Sequence, residues 1–172
     1  MVQNVISILV ENQPGVLVRV VGLFARRGFN IDSLTVGVTH DPEYSRITVT
    51  VTGDEDFMEQ VKNQISKLVE VASVKILPPS GKVARSMALL KVKVDDNRGE
   101  ILKLSEVFRA SVVDIKDTTI TFEITGDDNK IEAFQDILKP YGLLETIRTG
   151  VVALERGENT IYNNENEERE TT

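Results

Sequence analysis

The sequence predicts an α+β protein made of two βαββαβ units in series. Three observations predict it. Apolar runs of period two alternate with apolar stripes of helical period. The alternation occurs twice, because VDDNRGEILKLSEVF can be laid on VENQPGVLVRVVGLF, and ITFEITGD on ITVTVTGD. Between the copies stands Pro78-Pro79-Ser80-Gly81, a linker by composition.

In the first copy, Val5 to Val10 reads as a buried strand, Val16 to Arg27 as a helix, and Ile31 to Val38 as a second strand. Arg46 to Thr52 follows as a third, with Ile47, Val49 and Val51 inward. Asp54 is placed to cap a helix whose acidic first turn, Asp54-Glu55-Asp56, suits the helix dipole. The core stripe of that helix is expected at Phe57, Val61, Ile65 and Leu68, and Val71 to Leu77 closes the unit. Gly28 is expected to end the first helix, because a left-handed residue is needed there. In the second copy, Val94, Gly99 and Phe108 fall on Val10, Gly15 and Phe24. It is shorter, and the difference falls around the turn Thr39 to Tyr44, where a hairpin tolerates insertion. Each copy is therefore expected to be ferredoxin-like, its sheet covered on one face by its own helices. The expected division is residues 1–78, a linker at 79–85, residues 86–157, and an acidic tail at 158–172 read as disordered.

Composition narrows the function. The formal charge is −7, but the 15 residues from Glu158 hold 1 Lys or Arg against 5 Asp and Glu, so the rest is close to neutral. Neither half has the basic excess that phosphate neutralisation needs, and the strands that carry stacking aromatics in RNA-binding sheets carry Ile, Val, Ser and Thr here. Nucleic acid is not an expected partner. No apolar run reaches the roughly 20 residues that span a membrane, and Met1 opens a strand pattern rather than a signal peptide, so a cytoplasmic protein without membrane contact is expected. Cysteine is absent and His40 is the single histidine. His40, Asp41 and Glu43 match no established metal-ligand spacing, and no metal site is expected. There is no nucleophile–base pair, phosphate loop or dinucleotide fingerprint.

The stretch Glu11 to Asn30 carries a different chemistry. Gly15 stands at a helix start and leaves backbone N–H groups open, with the amides of Asn12 and Asn30 flanking the helix. In the second copy Asn12 becomes Asp96 and Pro14 becomes Arg98, and an acid at that place opposes an anion on the helix terminus. The first copy is therefore expected to keep a binding loop and the second to be structural or an interaction surface.

Three stretches, ENQPGVLVRVVGLFARRGFNIDSLTV, DPEYSRITVTVTGDE and TGVVALERG, together resemble the small regulatory subunit of acetohydroxyacid synthase, also called acetolactate synthase. The first copy looks like an ACT domain, a small-molecule sensing module, and the second is a shorter ACT-like unit. The resemblance implies a large catalytic subunit that uses thiamine diphosphate, magnesium and FAD, with no cofactor and no catalysis on this chain. It implies that this chain activates that partner and confers feedback inhibition by a branched-chain amino acid, usually valine. The effector-binding residues it implies are Asn12, Pro14, Gly15, Val16 and Leu17, with Asn30 and Ile31. An amino-acid sensor for a different enzyme, or one acting alone, is the alternative.

An amino acid needs donors for its carboxylate and acceptors for its ammonium. N–H groups near Gly15 to Leu17 suit the first, and the amide oxygens of Asn12 and Asn30 the second. A helix of about 12 residues separates the two asparagines by roughly 18 Å, so one monomer cannot clasp one ligand with both. The strand near Asn30 is an edge strand in this topology, which should be covered. Two chains pairing these edges about a two-fold axis would bring Asn30 of one beside the Asn12 loop of the other. Gly22, a mid-helix glycine that costs about 1 kcal/mol relative to alanine, supports a homodimer by close helix packing.

Overall fold

Each period-two run becomes a strand and each helical stripe a helix. A computed structural model describes residues 2–162. The first copy gives β1 (Val2–Glu11), α1 (Val16–Arg26), β2 (Ser33–Val38), β3 (Tyr44–Gly53), α2 (Glu55–Ile65) and β4 (Val71–Leu77). The second gives β5 (Lys82–Lys93), α3 (Arg98–Val107), β6 (Ser111–Ile115), β7 (Thr119–Gly126), α4 (Asp128–Leu138), a 3-10 turn at Lys139–Tyr141, β8 (Leu143–Arg148) and β9 (Val152–Glu155). The α+β class and both βαββαβ orders are as expected. Two compact units result, Ala84–Gly150 and the remainder, so the chain from Val151 onward groups with the first copy rather than with the second.

The first unit is a sheet of order β2-β3-β1-β4. Ile6, Ile8 and Val10 on β1 and Ile47, Val49 and Val51 on β3 face Val16, Val20 and Phe24 of α1 and Met58, Val61 and Ile65 of α2, all of them buried. The α2 stripe starts at Met58, one residue later than expected. Phe57 is only partly buried and packs edge-on against Phe29, with centroids 4.5 Å apart. Asp54 caps α2 by accepting from Phe57 N at 2.9 Å, as the acidic first turn led one to expect. Gly28, at φ +69°, closes α1 with a paired motif in which Phe29 N donates to Phe24 O and Gly28 N to Ala25 O.

The second face of this sheet is also covered. Ser7, Thr48 and Thr50 are buried there beside Leu9 and Val5. The segment from Val151 crosses that face like a strap. Val151 N donates to Ser33 Oγ on β2 at 3.4 Å, Arg46 Nη2 on β3 to Ala153 O at 2.8 Å, and Lys75 on β4 pairs with Glu155 at 3.2 Å. Arg156 N donates to Gly81 O, which fastens the strap to the start of β5. The tail expected to be disordered from 158 differs in its described part, where Ile161 is buried and Tyr162 meets the ring of His40. Residues 163–172 lie outside the described residues.

The second unit places β5 between β7 and β8, with β6 at the edge. Ala88, Leu90, Val92, Ile120, Phe122 and Ile124 pack on Ile101, Ile131, Phe134 and Leu138. Phe134 is fully enclosed, 5.1 Å from Phe108 and 5.8 Å from Phe122 between ring centroids. Here α3 begins at Arg98, two positions earlier than α1 does by the alignment of the copies. Gly99 is thus inside a helix, whereas Gly15 stands before one. Arg98 Nη2 donates to the carbonyls of Lys116 and Asp117, so the counterpart of the Asn12 loop is tied down by its own side chain.

Candidate functional site

The loop between β1 and α1 is shaped by main-chain bonds. Glu11 N donates to Glu70 O at 2.9 Å, Asn12 N to Glu43 O at 2.7 Å, and Gln13 N to Glu11 O at 2.9 Å. Gly15 then takes φ +87° and ψ −13° at the N-cap, a left-handed conformation that a side chain would strain. Among the described residues no side chain caps α1, and no acidic residue stands in its first turn. A helix start without a capping acceptor presents unsatisfied N–H groups and the positive end of the dipole. Arg19, one turn along, pairs with Glu70 on the β4 side of the loop.

The candidate residues do not all have the same surroundings. Asn12, Pro14, Gly15 and Leu17 are exposed around the helix start. The Val16 side chain is core, only 4% exposed, so its N–H alone can meet a ligand, and that N–H already makes a long 3.4 Å bond to Gln13 O. Asn30 is exposed at the other end of α1, while Ile31 is partly buried against the core. The 11 residues of α1 put about 16 Å between those ends, so one chain does not bring Asn12 and Asn30 together.

The amide of Asn12 is engaged within the chain. Its Nδ2 donates to Pro42 O at 3.0 Å and its Oδ1 accepts from Ser45 Oγ at 3.1 Å. These partners sit some 30 residues away, Pro42 on the β2–β3 turn and Ser45 at the start of β3, and no local pattern announces them. One amide hydrogen and one carbonyl lone pair of Asn12 remain for a ligand. Asn30 is held less: Nδ2 lies 3.4 Å from Asp32 Oδ1, whose other oxygen accepts from Thr52 Oγ1 at 2.8 Å. In the same turn as Pro42, Asp41 Oδ1 accepts from Glu43 N at 3.0 Å. Among the described residues no group of three His, Asp or Glu side chains is placed to hold a metal ion.

β2 is the edge strand expected from the topology, and Val36 and Val38 on it are 43% and 60% exposed. Among the described residues a Cβ at Gly22 would meet Arg26 Nη1 at 3.9 Å and nothing nearer, so none of them requires glycine there.

Two family descriptions match the chain, an acetohydroxyacid synthase small-subunit-like ACT domain over residues 6–73 and the small subunit of acetolactate synthase over residues 85–157. A probable acetolactate synthase small subunit of Archaeoglobus fulgidus is 47% identical over 156 residues, covering 90% of this chain and 98% of that protein. The chain belongs to the acetolactate synthase small-subunit family. Its relatives include the acetolactate synthase small subunit of Mycolicibacterium smegmatis, 43% identical over 155 residues, covering 90% of this chain and 91% of that one. The crystal structure of the acetolactate synthase small subunit from Thermotoga maritima superposes with a TM-score of 0.87 at 42% identity, covering 92% of this chain and all of that one. The second small-subunit match runs through Gly157 and so includes GVVALERG, the segment that in space straps the sheet of the first unit. Within that motif Ala153 O accepts from Arg46 and the Glu155 carboxylate pairs with Lys75.

Proposed function

We propose that this chain is the non-catalytic regulator of an acetolactate synthase, raising the activity of a large catalytic subunit and making it sensitive to a branched-chain amino acid. Family membership supports the enzyme concerned. The observation that carries the sensing role is the uncapped start of α1, where Gly15 takes a left-handed conformation beside the Asn12 loop. On this reading the effector carboxylate meets the N–H groups of Val16 and Leu17, and Asn12 Oδ1 of one protomer and the Asn30 amide of its partner meet the ammonium. Valine is the first candidate. A hydrophobic pocket separates molecules that differ by one methylene by only about 1–3 kcal/mol, so leucine and isoleucine belong in the same test.

Thiamine diphosphate, magnesium and FAD belong to the catalytic partner in this scheme, and the assembly works in the cytoplasm. Inhibition is a population shift: the effector binds better to the dimer arrangement that supports the partner poorly, and the effect is bounded by that differential affinity. The purified chain with pyruvate, thiamine diphosphate and magnesium is expected to form no acetolactate, and adding it to the catalytic subunit to raise turnover. Product without the partner, or unchanged turnover with it, would sink the proposal. Pull-down of a different enzyme in place of the catalytic subunit would favour a sensor serving another partner.

The dimer is expected to form through β2 and α1. Gly22→Leu should leave the monomer as stable as before or more so, since glycine inside a helix costs about 1 kcal/mol and the position is open within the chain. Pairing should weaken by overpacking, by about 1–3 kcal/mol. Sedimentation equilibrium checks this, and a wild type that stays monomeric at micromolar concentration contradicts it.

A further inference from the structure

The β2–β3 turn and the first residues of β3 are held from both faces of the sheet, Ser45 and Arg46 being adjacent on β3 just after the turn. On the helix side, Asn12 takes the Ser45 hydroxyl and gives hydrogens to Pro42 O and Glu43 O, the latter from its main chain. On the opposite side, Arg46 Nη2 donates to Ala153 O of the strap, and Tyr162 near the strap's end sets its ring 5.4 Å from that of His40, with its hydroxyl 3.5 Å from Nδ1. Successive side chains of a strand point to opposite faces, which is why Ser45 and Arg46 can serve two different segments through one peptide. The guanidinium of Arg46 is partly buried, and that desolvation pushes its pKa down. The Glu155 carboxylate, which pairs with Lys75 on the same face, works against that shift.

We propose that the strap positions the effector loop: Arg46 and Tyr162 fix the β2–β3 turn, and the turn fixes Asn12. The inference rests on the loop's being the effector site, and it adds a regulatory consequence. Because coupling between two equilibria is reciprocal, an effector held by Asn12 tightens the strap by the factor with which strap attachment raises effector affinity. Whatever loosens the strap releases the effector. Arg46 and Tyr162 act through Asn12 and touch no ligand, so they are positioning residues.

The test compares Tyr162→Ala, Tyr162→Phe and Arg46→Met with wild type in the full chain, by amide hydrogen exchange and by calorimetric titration with valine. Tyr162 is 44% exposed, so its replacement leaves the core intact even where Arg46→Met folds poorly. In Tyr162→Ala, exchange at Asn12 and Tyr44 is expected to quicken about tenfold, with the amides of Ile8 and Val49 unchanged. Valine affinity is expected to fall about five- to tenfold, and Tyr162→Phe, which keeps the ring contact, to recover most of it. Valine should in turn slow exchange at Ala153 and Arg156. If exchange at Ala153 and Arg156 quickens in the variants while Asn12 exchange and valine affinity stay within twofold of wild type, the strap merely covers the sheet and the inference falls. If wild type takes up no valine, leucine or isoleucine, the effector reading fails by itself, and Asn12 exchange alone decides whether strap and loop are coupled.

Discussion

Mixed dimers carrying Asn12→Ala in one protomer and Asn30→Ala in the other are expected to keep half the effector capacity of wild type at near-normal affinity. The reason is geometric. The two residues stand at opposite ends of α1, so a shared site must draw one from each chain. In such a heterodimer one of the two sites carries both substitutions and the other neither. Symmetric dimers of either variant should bind about 1–3 kcal/mol more weakly at both sites, the usual cost of losing a hydrogen bond to a charged group. The two single variants also differ in a telling way. Asn12→Ala removes the bonds to Pro42 and Ser45 and should cost the fold about 1 kcal/mol. Among the described residues Asn30 makes just a 3.4 Å approach to Asp32, so Asn30→Ala should leave stability within about 0.5 kcal/mol of wild type. Weakened binding in Asn30→Ala is then a property of the site and not of the fold. Calorimetry of the heterodimer decides the matter: no normal site there would exclude sharing between chains.

Phe134→Ala is expected to destabilise the second unit by about 3–5 kcal/mol, the range for truncating a buried aromatic ring. Phe134 has no exposed surface and packs on both Phe108 and Phe122, so the cavity left cannot close by movement of one neighbour. A unit of this size has a total stability of about 3–10 kcal/mol, and the loss would consume most of it. Urea unfolding followed by circular dichroism, with Val107→Ala as a control at a 77% exposed position of the same unit, measures the difference. A loss below about 1 kcal/mol in Phe134→Ala would show that the aromatic cluster is not the centre of that core.

The sequence by itself determined the element order, the two-fold repetition and most of the core, because those depend on periodicity that each element carries internally. Val16, Val20 and Phe24 are spaced for one helix face and are buried on it, and Ile47, Val49 and Val51 alternate and are buried together. Asp54 and Gly28 were legible for the same reason, since a cap depends on neighbours within a few residues. The α2 stripe moved from Phe57 to Met58 because Phe29, distant in sequence, offered the ring of Phe57 an edge-on partner nearer the surface. The family, too, was legible: the three stretches that carry the resemblance lead to the family whose descriptions match residues 6–73 and 85–157. What only the tertiary structure decided are contacts between residues far apart in the chain. GVVALERG reads as the close of the second copy, and its strand β9 does pair with β5, yet the segment also lies across the first sheet, because Arg46 and Lys75, more than 75 residues earlier, provide its donor and its counter-ion. Gly15 and Gly99 align in sequence but differ in backbone, since Arg98 finds the carbonyls of Lys116 and Asp117 and draws the second helix start forward. From the sequence, Asn12 reads as an amide whose oxygen suits an effector's ammonium. Register between β1 and β3, a property of the whole sheet, sets Pro42 and Ser45 beside it and makes it the fastening of the loop as well as a candidate ligand for the effector.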